Sequence, residues 1–347
     1  MDKSNAPQQP IAVKRGLIAA IAISLAATII VIYLTYKPGT LKSLLSANIL
    51  LVFAAFLITL LSYFFNSLAL KILSLEIEDK LSFGYFFRVF VAGTFASLVT
   101  PFGSGGLPVQ VYLIKKGGYD TSESLAIVTG RAIISIWFFG FLSPVIAYLF
   151  FGGGFSNAFL APVIAIISLT ILLFAFIIKP KAFMAVLQKL MLNRLSFHFF
   201  GKERLEKNIE GIKKSLERYH NSLSLLLSKK SYLLLAALSE SFAWILFIFV
   251  GVIIVISLGW YKNLPAIFFR ILVLQALIPF SPTPGGSGVA EGGLAAGITG
   301  LAPAHLAGPA VFLWRFVTFY LFLVIGGLVF ASFFSRSKDS RASRARP

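Results

Sequence analysis

Long apolar runs, separated by short polar punctuation, fill this chain from residue 16 to residue 334. Such runs predict helices, because hydrocarbon satisfies no backbone polar group and a helix satisfies its own. The apolar runs 233–238 and 244–256 do not alternate, which argues against a β-barrel. Spans are predicted near 16–36, 44–73, 124–151, 159–178, 231–258 and 306–334. Two further apolar stretches, 83–114 and 264–298, are each interrupted near the middle by a Gly-Ser-Gly run. Residues 179–230 follow another pattern. Leu205, Ile209, Ile212, Leu216 and Leu223 recur at helical spacing among charges. That pattern predicts an amphipathic helix on the membrane surface or on the helix ends; a solvated connector with one apolar stripe fits it equally.

The interruptions are copies of each other. The first reads Thr100-Pro101-Phe102-Gly103-Ser104-Gly105-Gly106 and the second Thr283-Pro284-Gly285-Gly286-Ser287-Gly288. Phe86-Phe87-Arg88 precedes the first and Phe268-Phe269-Arg270 the second; Arg131 and Arg315 follow. The offsets are 182 (86 to 268), 183 (100 to 283) and 184 (131 to 315). Three landmarks in one order and near-constant register point to internal duplication. The repeats span about 83–151 and 264–334 within one integral membrane domain, 1–347.

Charge sets the orientation. Hydrophobic residues are 58% of the chain and charged residues 13%, against about 25% in soluble domains. Residues 179–230 hold twelve Lys/Arg and four Glu, which makes this insert cytoplasmic, as are the basic N- and C-terminal segments. The net charge of +18 therefore reflects topology, and nucleic acid is not an expected partner. With both termini inside, the stretch 83–114 enters and leaves on one side, and 264–298 enters from the other. The arm after the first break has about eight apolar residues, roughly 12 Å of helix against a core of about 30 Å. Each broken stretch is thus expected to be a re-entrant hairpin with its glycine turn at a buried tip. The fold expected is all-α and polytopic: about eight hydrophobic segments, of which about six cross and two are re-entrant hairpins, arranged as an inverted repeat. The first apolar run lacks a cleavage signature and is read as a retained helix, giving a multi-pass protein of the plasma membrane.

Candidate chemistry sits at the breaks. Pro101 and Pro284 end the preceding helix, and the glycines let the chain turn. Each following arm starts a helix whose free N–H groups attract anions, phosphate above all. Arg131, Glu240, Glu291 and Arg315 fall near mid-depth, where each costs about 2.5–3.5 kcal/mol if unpaired. Two arginines and two glutamates at one level suggest pairing around a polar cavity; a purely structural set of ion pairs is the competing reading. The candidate binding set is Thr100, Gly103, Ser104, Gly105, Gly106 and Gln110 at the first break, and Thr283, Gly285, Gly286, Ser287, Gly288 and Glu291 at the second. Arg131, Glu240 and Arg315 in the spans complete it. Arg88 and Arg270 lie nearer the segment starts and are weaker candidates. His198, His220 and His305 show no ligand spacing, cysteine is absent, and there is no P-loop or Gly-x-Ser-x-Gly elbow. No metal, cofactor or catalytic residue is expected.

The run Pro284-Gly285-Gly286-Ser287-Gly288-Val289-Ala290-Glu291, followed by Trp314-Arg315, resembles the flippase-like transmembrane family that includes the membrane part of lysylphosphatidylglycerol synthase. Residues 101–110 and Arg131 look like that family's first half, and the resemblance covers about 15–335. It implies a translocase of lipids or lipid-linked headgroups, with anionic, phosphate-bearing membrane lipids as partners. Arg131 and Arg315 would meet the phosphate, and Glu240 and Glu291 would hold those arginines or bind a cationic group. The synthase carries a further soluble catalytic domain, and no aminoacyl transfer is expected from this chain. A proton-coupled transporter of small polar solutes and a non-transporting partner of a lipid-modifying enzyme remain as alternatives.

The topology is testable with single cysteines in this cysteine-free chain. Gly153→Cys and Lys262→Cys should react with an impermeant thiol reagent from outside, and Lys115→Cys only after permeabilisation. Labelling of position 115 from outside would remove the first re-entrant hairpin and with it the inverted repeat.

Overall fold

The structure, a computed structural model, describes residues 9–142 and 230–344, residue 168, and residues 218, 219, 221–226 and 228. The described residues are helical, with one isolated bridge, Thr299 to Ala302, and no strand. The elements are α1 (Gln9–Thr35), α2 (Thr40–Leu45), α3 (Ile49–Leu75), α4 (Phe83–Leu98), α5 (Gly106–Lys116), α6 (Thr121–Trp137), α7 (Lys230–Ser257), α8 (Leu264–Leu277), α9 (Val289–Ile298), α10 (Ala307–Arg315) and α11 (Leu321–Arg344). A π-helical turn, Phe138–Leu142, continues α6, and another, Phe316–Tyr320, joins α10 to α11.

Among the described residues, four helices are long and apolar enough to cross a membrane: Ile49–Leu75, Thr121–Phe141, Lys230–Ser257 and Ala304–Phe334. Ile21–Thr35, Phe83–Leu98 and Leu264–Phe280 are shorter apolar helices. These match the expected segments closely, and α9 has the expected bounds. The expected span 159–178, the turn at Gly153 and most of the amphipathic insert lie outside the described residues.

Exposure on α3 is inverted relative to a soluble helix. Leu50, Phe53, Leu57, Leu61 and Phe64 are exposed at helical spacing, while Thr59, Ser62, Asn66 and Ser67 are buried. A membrane helix turns its apolar stripe to lipid and its polar side chains to neighbouring helices, where they find partners. Ser62 Oγ does so, donating to Ala243 O at 2.9 Å. The same inversion holds on α7, where Leu234, Leu235, Leu238 and Phe242 are exposed and Ser239, Glu240 and Ser241 are buried.

The chain divides into two compact units. The first comprises Met1–Leu68, Phe83–Gln110 and Phe242–Pro347 and holds both glycine breaks. Its centre is the contact of α4 with α11, where Phe95 and Val99 meet Phe319 and Leu323. Gly326 permits that contact: a Cβ there would meet Phe95 Cβ at 2.8 Å and Val91 O at 3.2 Å. Tyr63 of α3 joins through the rings of Phe322 and Phe90, at centroid distances of 4.4 and 5.2 Å.

The second unit comprises Ala69–Ser82 and Val111–Ser241. Its described loops carry the charge. Lys71 pairs with Asp79 and donates to Leu81 O, 2.7 Å. Lys80 pairs with Glu78 at 2.8 Å and Glu123 at 3.5 Å, beside the Tyr119 ring. Glu123 also accepts the Asp120 N–H, 2.8 Å, a reciprocal contact that starts α6 cleanly.

Gly326→Val should push α4 and α11 apart and destabilise the protein by about 1–3 kcal/mol, as overpacking does. Gly84→Ala, where a Cβ meets nothing within 4 Å, is the matched control and should be neutral or slightly stabilising. Thermal unfolding of both variants in detergent, beside wild type, measures the difference.

Candidate functional site

The two glycine breaks begin with the same backbone and part at the serine, helical at Ser104 and extended at Ser287. Thr100 and Thr283 are extended, and a proline then opens a single 3-10 turn. Phe102 (φ 56°, ψ 15°) and Gly285 (φ 61°, ψ 18°) both occupy the left-handed region, followed by Gly103 and Gly286 at φ 62° and 67°. The first break places a phenylalanine where the second has glycine, a conformation that costs about 1–2 kcal/mol for a residue with a Cβ. Shorter helices follow, α5 after the first break and α9 after the second. They pack back on the preceding helices: a Cβ on Gly106 would strike Ser97 Oγ, and one on Gly293 would strike Leu274. Both breaks are therefore helical hairpins.

The tips meet inside the first unit. Phe102 N–H donates to Ser281 O at 3.1 Å. In the first tip, Thr100 Oγ1 donates to Ala96 O, 2.8 Å, and accepts from Gly105 N–H, 2.9 Å. In the second, Thr283 Oγ1 donates to Ser287 O, 2.6 Å, and Ser287 Oγ donates to Pro284 O, 3.0 Å. Each threonine hydroxyl closes its turn, Thr100 by accepting an N–H and Thr283 by donating to a carbonyl. The serines differ: Ser104 is exposed, and Ser287 is buried.

The second tip also holds a buried ion pair. Arg315 grips Glu291 with two parallel bonds, Nε to Oε1 at 2.9 Å and Nη2 to Oε2 at 3.0 Å. Arg315 Nη1 donates to Gly285 O, 3.1 Å, and Glu291 Oε2 accepts the Gly288 N–H, 2.6 Å. Ser24 Oγ of α1 donates to Glu291 Oε1 at 2.8 Å. Glu291 is 0% exposed and Arg315 4%. Planar fork and carboxylate make the strongest ion-pair geometry available. The guanidinium also lies over the Phe319 ring, 4.8 Å to the centroid.

The π-turn after Arg315 shapes this pocket. In a regular α-helix, residue i+5 lies about 140° round the axis from residue i. The wider turn brings Tyr320 back toward the Arg315 face. There its hydroxyl lies 3.1 Å from Ser24 Oγ and 3.4 Å from Thr28 Oγ1.

The second unit has its own pair. Arg131 Nη1 donates to Glu240 Oε1 at 2.7 Å, and Ser135, one turn on, donates to the same oxygen. Glu240 is wholly buried. Each candidate arginine therefore holds one candidate glutamate: Arg315 with Glu291 in the first unit, Arg131 with Glu240 in the second.

Gln110 lies against Gly93, whose absent Cβ makes room for the amide, and its Oε1 is buried with no hydrogen-bond partner. Arg88 and Arg270 have structural partners. Arg88 reaches Ser332 Oγ at 3.0 Å over the Phe333 ring, and Arg270 donates to Gly297 O, 3.2 Å, and Thr299 O, 2.8 Å, at the end of α9. Sequence reasoning missed Ser24, Thr28, Tyr320 and Ser135. The signal was present for three of them: Ser24 and Thr28 are polar at i, i+4 in an apolar helix, and Ser135 follows Arg131 by four.

The profile of the family described as the lysylphosphatidylglycerol synthase TM region matches residues 17–326. A protein of Archaeoglobus fulgidus described as a UPF0104 membrane protein is 27% identical over 322 residues, covering 89% of this chain and 94% of the relative.

Glu291→Ala leaves the Arg315 guanidinium buried without its counter-ion and should lower stability by about 3–5 kcal/mol. Adding Arg315→Met to it should recover part of that loss, because the uncompensated charge goes too. Thermal unfolding of both single variants and the double variant checks this. A double variant no more stable than Glu291→Ala would mean that the pair contributes through packing alone.

Proposed function

The chain belongs to the lysylphosphatidylglycerol synthase transmembrane-region family, and from that premise we propose that it is a flippase-like translocase of a lipid or lipid-linked headgroup. The observation that carries this reading is the meeting of two glycine tips beside a buried arginine, in a protein whose helices α3 and α7 expose apolar stripes. Polar backbone at such a place is tolerated where it serves a cavity or a ligand. The tips supply what a phosphate-bearing headgroup needs: helix starts, an exposed Ser104 hydroxyl and the Arg315 fork. Acyl or isoprenoid chains stay in lipid while the headgroup passes between the hairpins, which are re-entrant in this reading. Arg131 serves an anion in the other repeat. The repeats have opposite orientation, both termini are cytoplasmic, and the membrane is the plasma membrane. The protein moves its lipid without chemically changing it.

Liposomes holding the purified protein and a fluorescent phosphatidylglycerol test the reading, with a membrane-impermeant quencher reporting flipping. Wild type should flip the lipid. Arg131→Gln and Arg315→Gln should each slow flipping by about tenfold or more, the worth of one lost hydrogen bond to a charged group. Lysine at either position should restore only part of the rate, because it lacks the planar fork. Loss of thermal stability with unchanged lipid affinity in the surviving protein would leave the arginines as scaffold. Uptake of a water-soluble solute in place of lipid would identify a small-solute transporter instead.

A further inference from the structure

Glu291 occupies the place of an anionic ligand. Its carboxylate takes donors from Arg315 Nε and Nη2, from Gly288 N–H at the start of α9, and from Ser24 Oγ, at 2.6 to 3.0 Å. A cationic fork, a helix-start N–H and a hydroxyl are what a phosphodiester oxyanion would use. An incoming anion that takes these donors displaces the carboxylate. The site then holds two negative charges and one positive where it was neutral. Glu291 is wholly buried, and an unpaired carboxylate there is strongly disfavoured unless it binds a proton.

A route for that proton is built in. Ser24 Oγ, already bonded to Glu291, lies 3.1 Å from the Tyr320 hydroxyl, and that hydroxyl lies 3.4 Å from Thr28 Oγ1. Ser24 and Thr28 are buried, whereas Tyr320 is half-buried. Each hydroxyl can donate and accept, so the row can hand a proton from the half-exposed tyrosine to the carboxylate. Ionisable groups on the surrounding elements are few. Residues 18–35 of α1 contribute Tyr33, which is exposed; α8 contributes Arg270, bonded to carbonyls at the far end of α9; α10 and its π-turn contribute Arg315 and Tyr320. The two tips and the rest of α9 contribute none. Arg315 is the one charged partner bonded to Glu291 among the described residues.

We propose that Glu291 is a proton site. A phosphodiester anion takes over Arg315 and the Gly288 N–H as Glu291 accepts a proton through Tyr320 and Ser24, so that one proton travels with each anion. The inference rests on the headgroup reading above and adds its driving ion. The step is balanced: a proton leaves water, an O–H bond forms on the Glu291 carboxylate, and the Arg315 fork passes from carboxylate to phosphodiester. Release of the anion reverses it.

The test counts protons by titration calorimetry of the full-length protein in buffers of different ionisation enthalpy. Dihexanoylphosphatidylglycerol is the lipid probe and glycerophosphoglycerol, its deacylated form, the soluble one; neither phosphodiester titrates near neutrality. About one proton should be taken up per lipid bound. Glu291→Gln should bind the lipid with no proton uptake. Tyr320→Phe leaves the ion pair whole; it should keep the count and slow gradient-driven flipping several-fold. Should Glu291→Gln not fold, the infrared band of a protonated carboxylic acid must appear in wild type on adding lipid and persist in Glu240→Gln; its absence overturns the proposal. Wild type that binds lipid with no proton uptake also overturns it and leaves the headgroup reading standing. Binding of glycerophosphoglycerol alone, with a proton, supports the proton site and overturns the lipid reading. Failure to bind either probe removes the headgroup reading and the proton site together.

Discussion

A helix broken inside an apolar environment exposes N–H and C=O groups that lipid cannot satisfy, and the first unit is arranged around meeting that demand. Each tip meets it with the hydroxyl of its threonine, Thr100 or Thr283, and with bonds inside the turn. Phe102 N–H goes to Ser281 O in the other tip. What remains in the second tip is taken by charge: Arg315 covers Gly285 O and Glu291 covers Gly288 N–H. The ion pair is therefore part of the backbone accounting of the break. It also ties the hairpin to the α10–α11 helix and, through Ser24, to α1.

That arrangement explains why the long helices around the break are built as they are. The π-turn at Phe316–Tyr320 lets one stretch of helix present Arg315, Phe319 and Tyr320 to the tip together. Phe319 packs so closely on Gly285 that a Cβ there would lie 2.2 Å from its ring. Glycine at 285 thus meets two demands, a left-handed backbone and the absence of a side chain. Gly326 then allows α11 to lie against α4 of the first hairpin, while the tip of the second lies on Phe319 in the π-turn just before α11.

The proposed function draws on the same accounting. A buried pair that is already satisfied resists a third charge, so in the proposed exchange an anion enters by replacing one member with the electrical balance restored. The carboxylate would be the replaceable member, because an oxyanion can take over its donors. The pairing of Arg131 with Glu240 repeats the principle in the second unit, with Arg131 Nη1 and Ser135 both on one oxygen.

Much of this was legible in the residues. Apolar periodicity located the helices, and the Thr-Pro…Ser-Gly copies located both breaks, because a proline and a run of glycines stop a helix whatever surrounds them. The need to neutralise charge in an apolar medium foretold that the arginines and glutamates would pair. The tertiary structure decided which glutamate went to which arginine, since Glu240 and Arg131 are 109 residues apart and Glu291 and Arg315 only 24. It alone recruited Ser24, which reaches Glu291 across 267 residues, and it alone separated Ser104 from Ser287, each flanked by two glycines but opposite in exposure. Local sequence sets where a chain bends and what it must neutralise. Which donor meets which acceptor depends on packing between segments far apart in the chain, and that is a property of the folded molecule.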